Sequence, residues 1–153
     1  FNELLEREQE RVSRYHSPAA LIMLDIDHFK AVNDTHGHAA GDLVLQRMAE
    51  LARERLRDTD LLARWGGEEF LILLPETDLD GAAILAEGLR RTVAGHTFGD
   101  LSDVTVSQGV VALAPGEAVA ALMERVDAAL YAAKAAGRNR VEAGADARSD
   151  AEV

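Results

Sequence analysis

The sequence predicts one α/β (α+β) domain, a mostly antiparallel central sheet flanked by helices, and three observations carry that reading. Apolar runs of strand length alternate with segments whose apolar residues recur at helical spacing. Two of the runs are joined by Gly66-Gly67, the mark of a β-hairpin. A length of 153 residues fits one domain at the usual allowance of about 150, and 48% apolar against 28% charged residues is enough for a sizeable core.

Residues 1–16 read as a charged helix that Ser17-Pro18 breaks. Ala19 to Leu24 form an unbroken apolar run ending in Asp25-Ile26-Asp27, a buried central strand with carboxylates at its C-terminal end, where sheets of this kind place their sites. A short helix over about 28–35 ends at Gly37. A longer one over about 41–57 carries Val44, Met48, Leu51 and Ala52 on one face. Residues 61–65 and 69–74 flank Gly66-Gly67, which should form a two-residue turn with positive φ, and Pro75 closes the second strand. A helix over about 78–95 follows, with Ala82, Leu85, Ala86, Leu89 and Val93 as its apolar face. Residues 104–113 form a strand with an internal Gly109. Pro115-Gly116 opens the last helix, Gly137 caps it, and a short strand lies near 139–143. The polar, alanine-rich residues 144–153 are expected to be a disordered tail, so the domain is expected to span 1–143.

Composition narrows the function. The net charge of −11 disfavours non-specific binding to nucleic acid or an anionic membrane, so a phosphate-bearing ligand would need metal ions or placed cations. The absence of Cys excludes disulfides, thiolate metal sites and cysteine nucleophiles, and fits a reducing, cytoplasmic setting. No apolar run approaches the ~20 residues of a membrane span.

Asp25 and Asp27 taken alone are ordinary turn or cap carboxylates. Glu68 and Glu69 are less ordinary, because adjacent carboxylates in a tight turn repel each other. Brought beside the end of the 19–26 strand, the turn would gather three or four carboxylates, an all-oxygen donor set suited to Mg²⁺ shared with substrate phosphates. Trp65 and Phe70 read as hairpin packing, and His36 and His38 as loop residues around Gly37.

Three motifs in order make a resemblance specific. Arg64-Trp65-Gly66-Gly67-Glu68-Glu69-Phe70 resembles the signature hairpin of the GGDEF family, the diguanylate cyclases, with Glu as its third residue. The stretch from Asp25 through Asp42 is similar to the family's other long motif, and Lys134-Ala135-Ala136-Gly137-Arg138-Asn139 to its C-terminal one. The resemblance implies a palm-like fold related to adenylyl cyclases, and condensation of two GTP into cyclic di-GMP with release of two pyrophosphates. It further implies that Asp25, the main-chain carbonyl of Ile26 and Glu68 ligate Mg²⁺ (or Mn²⁺), with Glu69 assisting. Asn33 and Asp42 would read guanine. Phe29 and Lys30 at a helix start, Gly66 and Gly67, and the cations of Lys134 and Arg138 would hold the nucleotide.

Arg57-Asp58-Thr59-Asp60 matches the family's product-inhibition motif, with Arg57 and Asp60 as binding residues. An arginine that the family often carries on the helix after the hairpin is Gly88 here, with Arg90 and Arg91 nearby as substitutes. The family's reaction needs two GTP-loaded copies facing each other, so a second copy of the chain is an expected partner. The usual Asp-x-Leu-Thr turn before the first helix is absent, which suggests an N-terminally truncated piece of a longer protein. A silent cyclic di-GMP receptor is the rival reading, and another palm-type nucleotide cyclase a third. The intact Asp25, Asn33, Asp42, Glu68 and Glu69 argue against the receptor.

Overall fold

A computed structural model describes residues 1–145. In chain order the elements are α1 (Asn2–Tyr15), β1 (Ala19–Ile26), α2 (Phe29–His36), α3 (His38–Arg53), β2 (Leu61–Gly66), β3 (Glu69–Pro75), α4 (Leu79–Ala94), β4 (Val106–Ala112), α5 (Val119–Ala135) and β5 (Arg140–Ala143). The strands lie in the order β2-β3-β1-β4-β5; β1 is central and antiparallel to β3 and β4, while β5 runs parallel to β4. The sheet is therefore mostly antiparallel, as the sequence predicts.

Every residue of β1 is buried, which is why its sequence reads as a continuous apolar run and not an alternation. Its two faces serve two cores. Ala20, Ile22 and Leu24 pack with Val44 and Met48 of α3 and with Ala82, Ala86 and Leu89 of α4. Ala19, Leu21 and Met23 pack with Leu5 and Val12 of α1 and with Leu122, Val126 and Leu130 of α5. Asp25 continues the second row, so the period of two aims it at the α5 side of the sheet.

Gly109 lets α5 sit directly on β4. A Cβ there would lie 2.4 Å from the Leu130 amide nitrogen and 2.7 Å from the Val126 carbonyl oxygen, both backbone atoms. At its other end α5 terminates in a Schellman motif: the Arg138 amide donates to the Ala133 carbonyl and the Gly137 amide to that of Lys134, with Gly137 at a φ of 122°.

Several expectations shift. Helix α3 begins at His38, not near 41, because Gly37 at a φ of 89° turns the chain straight from one helix into the next. His36 and His38 are thus helix ends and not loop residues. The hairpin turn falls on Gly67-Glu68, one residue later than expected, with Gly66 the last residue of β2 and paired with Glu69. The register slips between Arg64 and Gly66, so Trp65 is left out of the ladder and 42% exposed, while Phe70 is buried as hairpin packing requires. Neither Gly66 nor Gly67 has a positive φ. Of the expected tail, the Gly144 amide still donates to the Val110 carbonyl and Ala145 accepts from Arg125; residues 146–153 lie outside the described residues.

Candidate active site

The site forms where β1 ends. Asp25 sits opposite Glu69 of β3 on one side and Ser107 of β4 on the other. Directly opposed residues share a face, so the Asp25 and Glu69 carboxylates are neighbours. The turn folds against the same end: the Ile26 amide donates to the Glu68 carbonyl at 3.3 Å. Asp25 is 4% exposed; its Oδ2 accepts from Lys134 Nζ, while its Oδ1 is buried with no hydrogen-bond partner. Burial pushes the Asp25 carboxyl above its ordinary value. The bond and charge of Lys134 oppose the rise, and the negative charges of Glu68 and Glu69 add to it.

Asp27, two residues on, is spent differently. Its Oδ1 accepts from Ser107 Oγ at 2.6 Å, and its Oδ2 from Thr105 Oγ1 at 2.8 Å and the Asn139 amide at 3.0 Å. It pins the end of α5 to the end of β1, which carries Lys134 to Asp25. Ser107 and Thr105 were not legible as site-building residues, since each is an unremarkable polar residue until the strands are paired; Asn139 stood in the C-terminal motif, but without this role.

Among the described residues no three His, Cys, Asp or Glu side chains gather into a metal-binding group. The expected cluster of three or four carboxylates is thus not formed as a ligand set. Two carboxylates and a main-chain carbonyl remain, and the unpartnered, buried Asp25 Oδ1 is the kind of hard oxygen donor Mg²⁺ takes, with substrate phosphates and water supplying the rest.

At the start of α2, His28 stands at a φ of 55° and gives no side-chain bond to the helix's first amides. The N–H groups beginning at Phe29 and Lys30 are therefore uncapped by any side chain, an anion-receptive end. Asn33 is held by α3: a Cβ on Gly41 would lie 1.9 Å from Asn33 Oδ1, so only glycine lets the Asn33 amide rest against that helix. Gly41 lies in the motif from Asp25 to Asp42, but the sequence reading gave it no role of its own; once α3 starts at His38 it is a glycine inside a helix.

Because α3 starts at His38, Asp42 lies in its second turn and is not the first-turn dipole acid it would be by default. It is exposed beside a cleft of about 390 Å³ whose apolar wall is Leu45, Ala49, Leu62 and Phe70, with Arg64 at the rim. A planar base has both a surface to lie on and a carboxylate at its edge there.

The family model for "Diguanylate cyclase, GGDEF domain" matches residues 1–140. This chain belongs to the GGDEF family. It is 47% identical over 145 residues to diguanylate cyclase DgcP of Pseudomonas aeruginosa, covering 93% of this chain and 22% of that protein. With diguanylate cyclase DgcM of Escherichia coli it shares 48% over 122 residues, covering 80% and 30%. The chain thus spans less than a third of either relative. Among solved structures, the GGDEF domain of DgcB from Caulobacter crescentus in complex with c-di-GMP superposes with a TM-score of 0.88 at 39% identity, covering 94% of this chain and 87% of that one. The active GGEEF domain of a diguanylate cyclase from Vibrio cholerae gives 0.86 at 37%, covering 92% of each.

Within this GGDEF domain the Arg57 and Asp60 pair lies before β2, away from the Asp25 end. The Arg57 amide donates to Asp60 Oδ2 at 2.8 Å and its Nη2 to Asp60 Oδ1 at 3.2 Å; the same Nη2 also reaches the Pro75 carbonyl and Thr77 Oγ1, each at 2.7 Å. Asp60 is buried, and it orients a half-exposed guanidinium. Neither Arg90 nor Arg91 takes the place of an arginine at Gly88: both are tied to Glu87, and Arg90 also donates to Asn139 Oδ1 at 3.0 Å. Lys134, expected to serve a phosphate, is engaged with Asp25 here, while Arg138 is exposed at a φ of 65°.

Proposed function

We propose that this GGDEF domain is the catalytic domain of a diguanylate cyclase that condenses two GTP into cyclic di-GMP and two pyrophosphates. The observation that carries the reading is the buried, unpartnered Oδ1 of Asp25 beside the Glu68 turn. Left without a ligand, that atom costs stability; as a metal donor it has a use.

Asp25, the Ile26 carbonyl and Glu68 would hold Mg²⁺ (or Mn²⁺). When bound, the metal lowers the pKa of the attacking 3′-hydroxyl and offsets charge on the leaving pyrophosphate. The chain's own part is binding and orientation. A Cβ on Gly66 or Gly67 would meet no protein atom within 4 Å, and neither has a positive φ, so nothing inside the protein requires glycine there. The requirement is then external, a triphosphate lying against the turn. Phe29 and Lys30 offer amides and a cation from α2, and Lys134 and Arg138 offer cations from the end of α5. Asp42 would accept from the ring N–H and exocyclic amine of guanine, a donor pair adenine lacks, with Asn33 alongside. Glu69 keeps the local potential negative beside Asp25, favouring a cation.

A domain holding one GTP cannot close the ring within its own substrate, so a second copy must present the other 3′-hydroxyl. Arg57, held by Asp60, would bind product and restrain the enzyme. Among the described residues no helix is long and apolar enough to cross a membrane; the supply of GTP makes the cytoplasm the working compartment of this reading. Incubation with GTP and Mg²⁺ followed by nucleotide chromatography tests it. Cyclic di-GMP should form with the unmutated chain and fall by orders of magnitude with Glu68→Gln. Undiminished synthesis by that variant would overturn the assignment.

A further inference from the structure

Three successive residues past the end of α5 stand at positive φ: Gly137 at 122°, Arg138 at 65° and Asn139 at 47°. Among the described residues Arg138-Asn139 is the only adjacent pair of non-glycine residues in the left-handed region, where Cβ crowds the backbone carbonyl. Such a turn persists only where its surroundings hold it. Here each peptide is tied. The Arg138 amide donates to the Ala133 carbonyl, the Arg138 carbonyl accepts from Arg140 Nε at 3.2 Å, and the Asn139 amide donates to Asp27 Oδ2 at 3.0 Å. The Asn139 side chain makes the remaining tie: its Oδ1 accepts from Arg90 Nη1 of α4 at 3.0 Å. Arg90 is itself held for that contact. Its Nε and Nη2 donate to the two carboxylate oxygens of Glu87, one turn back, at 2.9 and 2.6 Å, a fork that leaves Nη1 for Asn139. The bond from Arg90 holds the Glu87 carboxyl below its ordinary value, so the pair stays ionised.

We propose that Arg90, oriented by Glu87, is a positioning residue of the nucleotide site: by holding Asn139 it fixes the left-handed turn that aims Arg138 at the terminal phosphates of GTP. The inference rests on the reading of Arg138 as a triphosphate-binding cation, and it adds a residue of α4 that never meets the ligand. A left-handed residue sends its Cβ in a direction that helical and extended backbone do not offer. Were the turn to relax to negative φ, the exposed Arg138 guanidinium would swing away from the end of β1, to which Asp27 ties it. A long side chain on a loosened turn must also surrender more freedom on binding, so the ligand is held less tightly. Arginine suits the task because one planar group serves Glu87 and Asn139 together, which a lysine ammonium does less well.

Calorimetric titration in Mg²⁺ with 3′-deoxy-GTP, which lacks the attacking hydroxyl, and in parallel with GMP tests it on the unmutated chain, Arg90→Met, Arg138→Ala and the double variant. Arg90→Met keeps most of the side chain's bulk and removes its donors. It should weaken 3′-deoxy-GTP binding by about fivefold or more, as loss of a charge-assisted bond at a partly exposed place does, and leave GMP, which has no terminal phosphates, within about twofold. In the Arg138→Ala background it should add no more than about twofold, because the two residues act in series. Asn139→Ala removes the acceptor and spares the Glu87 fork, so it should repeat the pattern of Arg90→Met. Equal weakening of both nucleotides, no weakening of either, or an effect that persists in full without Arg138 would each overturn the inference and leave Arg138 in its role. If Arg138→Ala itself leaves 3′-deoxy-GTP affinity unchanged, the phosphate reading of Arg138 falls and takes this one with it.

Discussion

Gly109→Ala adds a single methyl group at the point where α5 crosses β4, and its consequence can be worked from the structure. In a strand interior, replacing glycine by alanine normally gains about 0.5–1 kcal/mol through the unfolded chain. Here the new Cβ would stand 2.4 Å from the Leu130 amide nitrogen and under 3 Å from two further backbone atoms, none of them the end of a flexible side chain. Helix α5 must lift from the sheet, and overpacking of that kind costs roughly 1–3 kcal/mol, here towards the upper value because backbone must move. The net loss of about 1–2.5 kcal/mol lowers the melting temperature by roughly 3–8 °C for a chain of this size. Because α5 carries Lys134 and leads into Asn139, its displacement should also loosen both ties to β1 and reduce turnover. Thermal denaturation followed by far-ultraviolet circular dichroism measures the first effect and GTP consumption the second. A melting temperature equal to or above that of the unmutated chain would refute the close-approach argument.

Four further outcomes are expected. For Asp25, whose folded pKa lies above its unfolded value, stability is fully present below the unfolded value and lost as pH rises through the folded one. Asp25→Asn should therefore melt no lower than the unmutated chain at pH 8, with any gain shrinking as the pH is brought down, while turnover is lost; a clearly lower melting temperature at pH 8 would contradict this. Asp27→Ala leaves two hydroxyls and an amide at a buried spot without their acceptor, so urea denaturation should show a loss of at least about 3 kcal/mol. Asp42→Ala should cost about 1–3 kcal/mol in discrimination between GTP and ATP, read from direct competition. If two copies must meet by diffusion, specific activity should fall on dilution of a monomeric sample, and a constant value over a hundredfold range would count against a shared site.

The apolar runs and helical periods made the layers legible, because β1 is buried on both faces and the helices on one. What the sequence could not show was set by pairing. Gly66-Gly67 is a strong turn signal, yet Phe70 pairs with Arg64 and Glu69 with Gly66, and that register moves the turn to Gly67-Glu68 and expels Trp65. The motif residues Asp25, Asn33 and Asp42 could be named in advance. Their supports could not: Gly41 matters only once two helices touch, and Asp27 only once β4 supplies Ser107.

The parallel edge strand gives the molecule a front and a back. Arg140 pairs with Ser107, level with Asp25, whereas Ala143 pairs with Val110, so β5 runs away from the Asp25 end. A fluorescent reporter, surface tether or affinity handle joined beyond Ala145 would set out from the rear, leaving the Glu68 turn clear to meet another molecule head-on. Immobilising the chain by that end should therefore array the Asp25 ends outward, a practical route to controlling how many copies can meet if the proposed two-copy reaction holds.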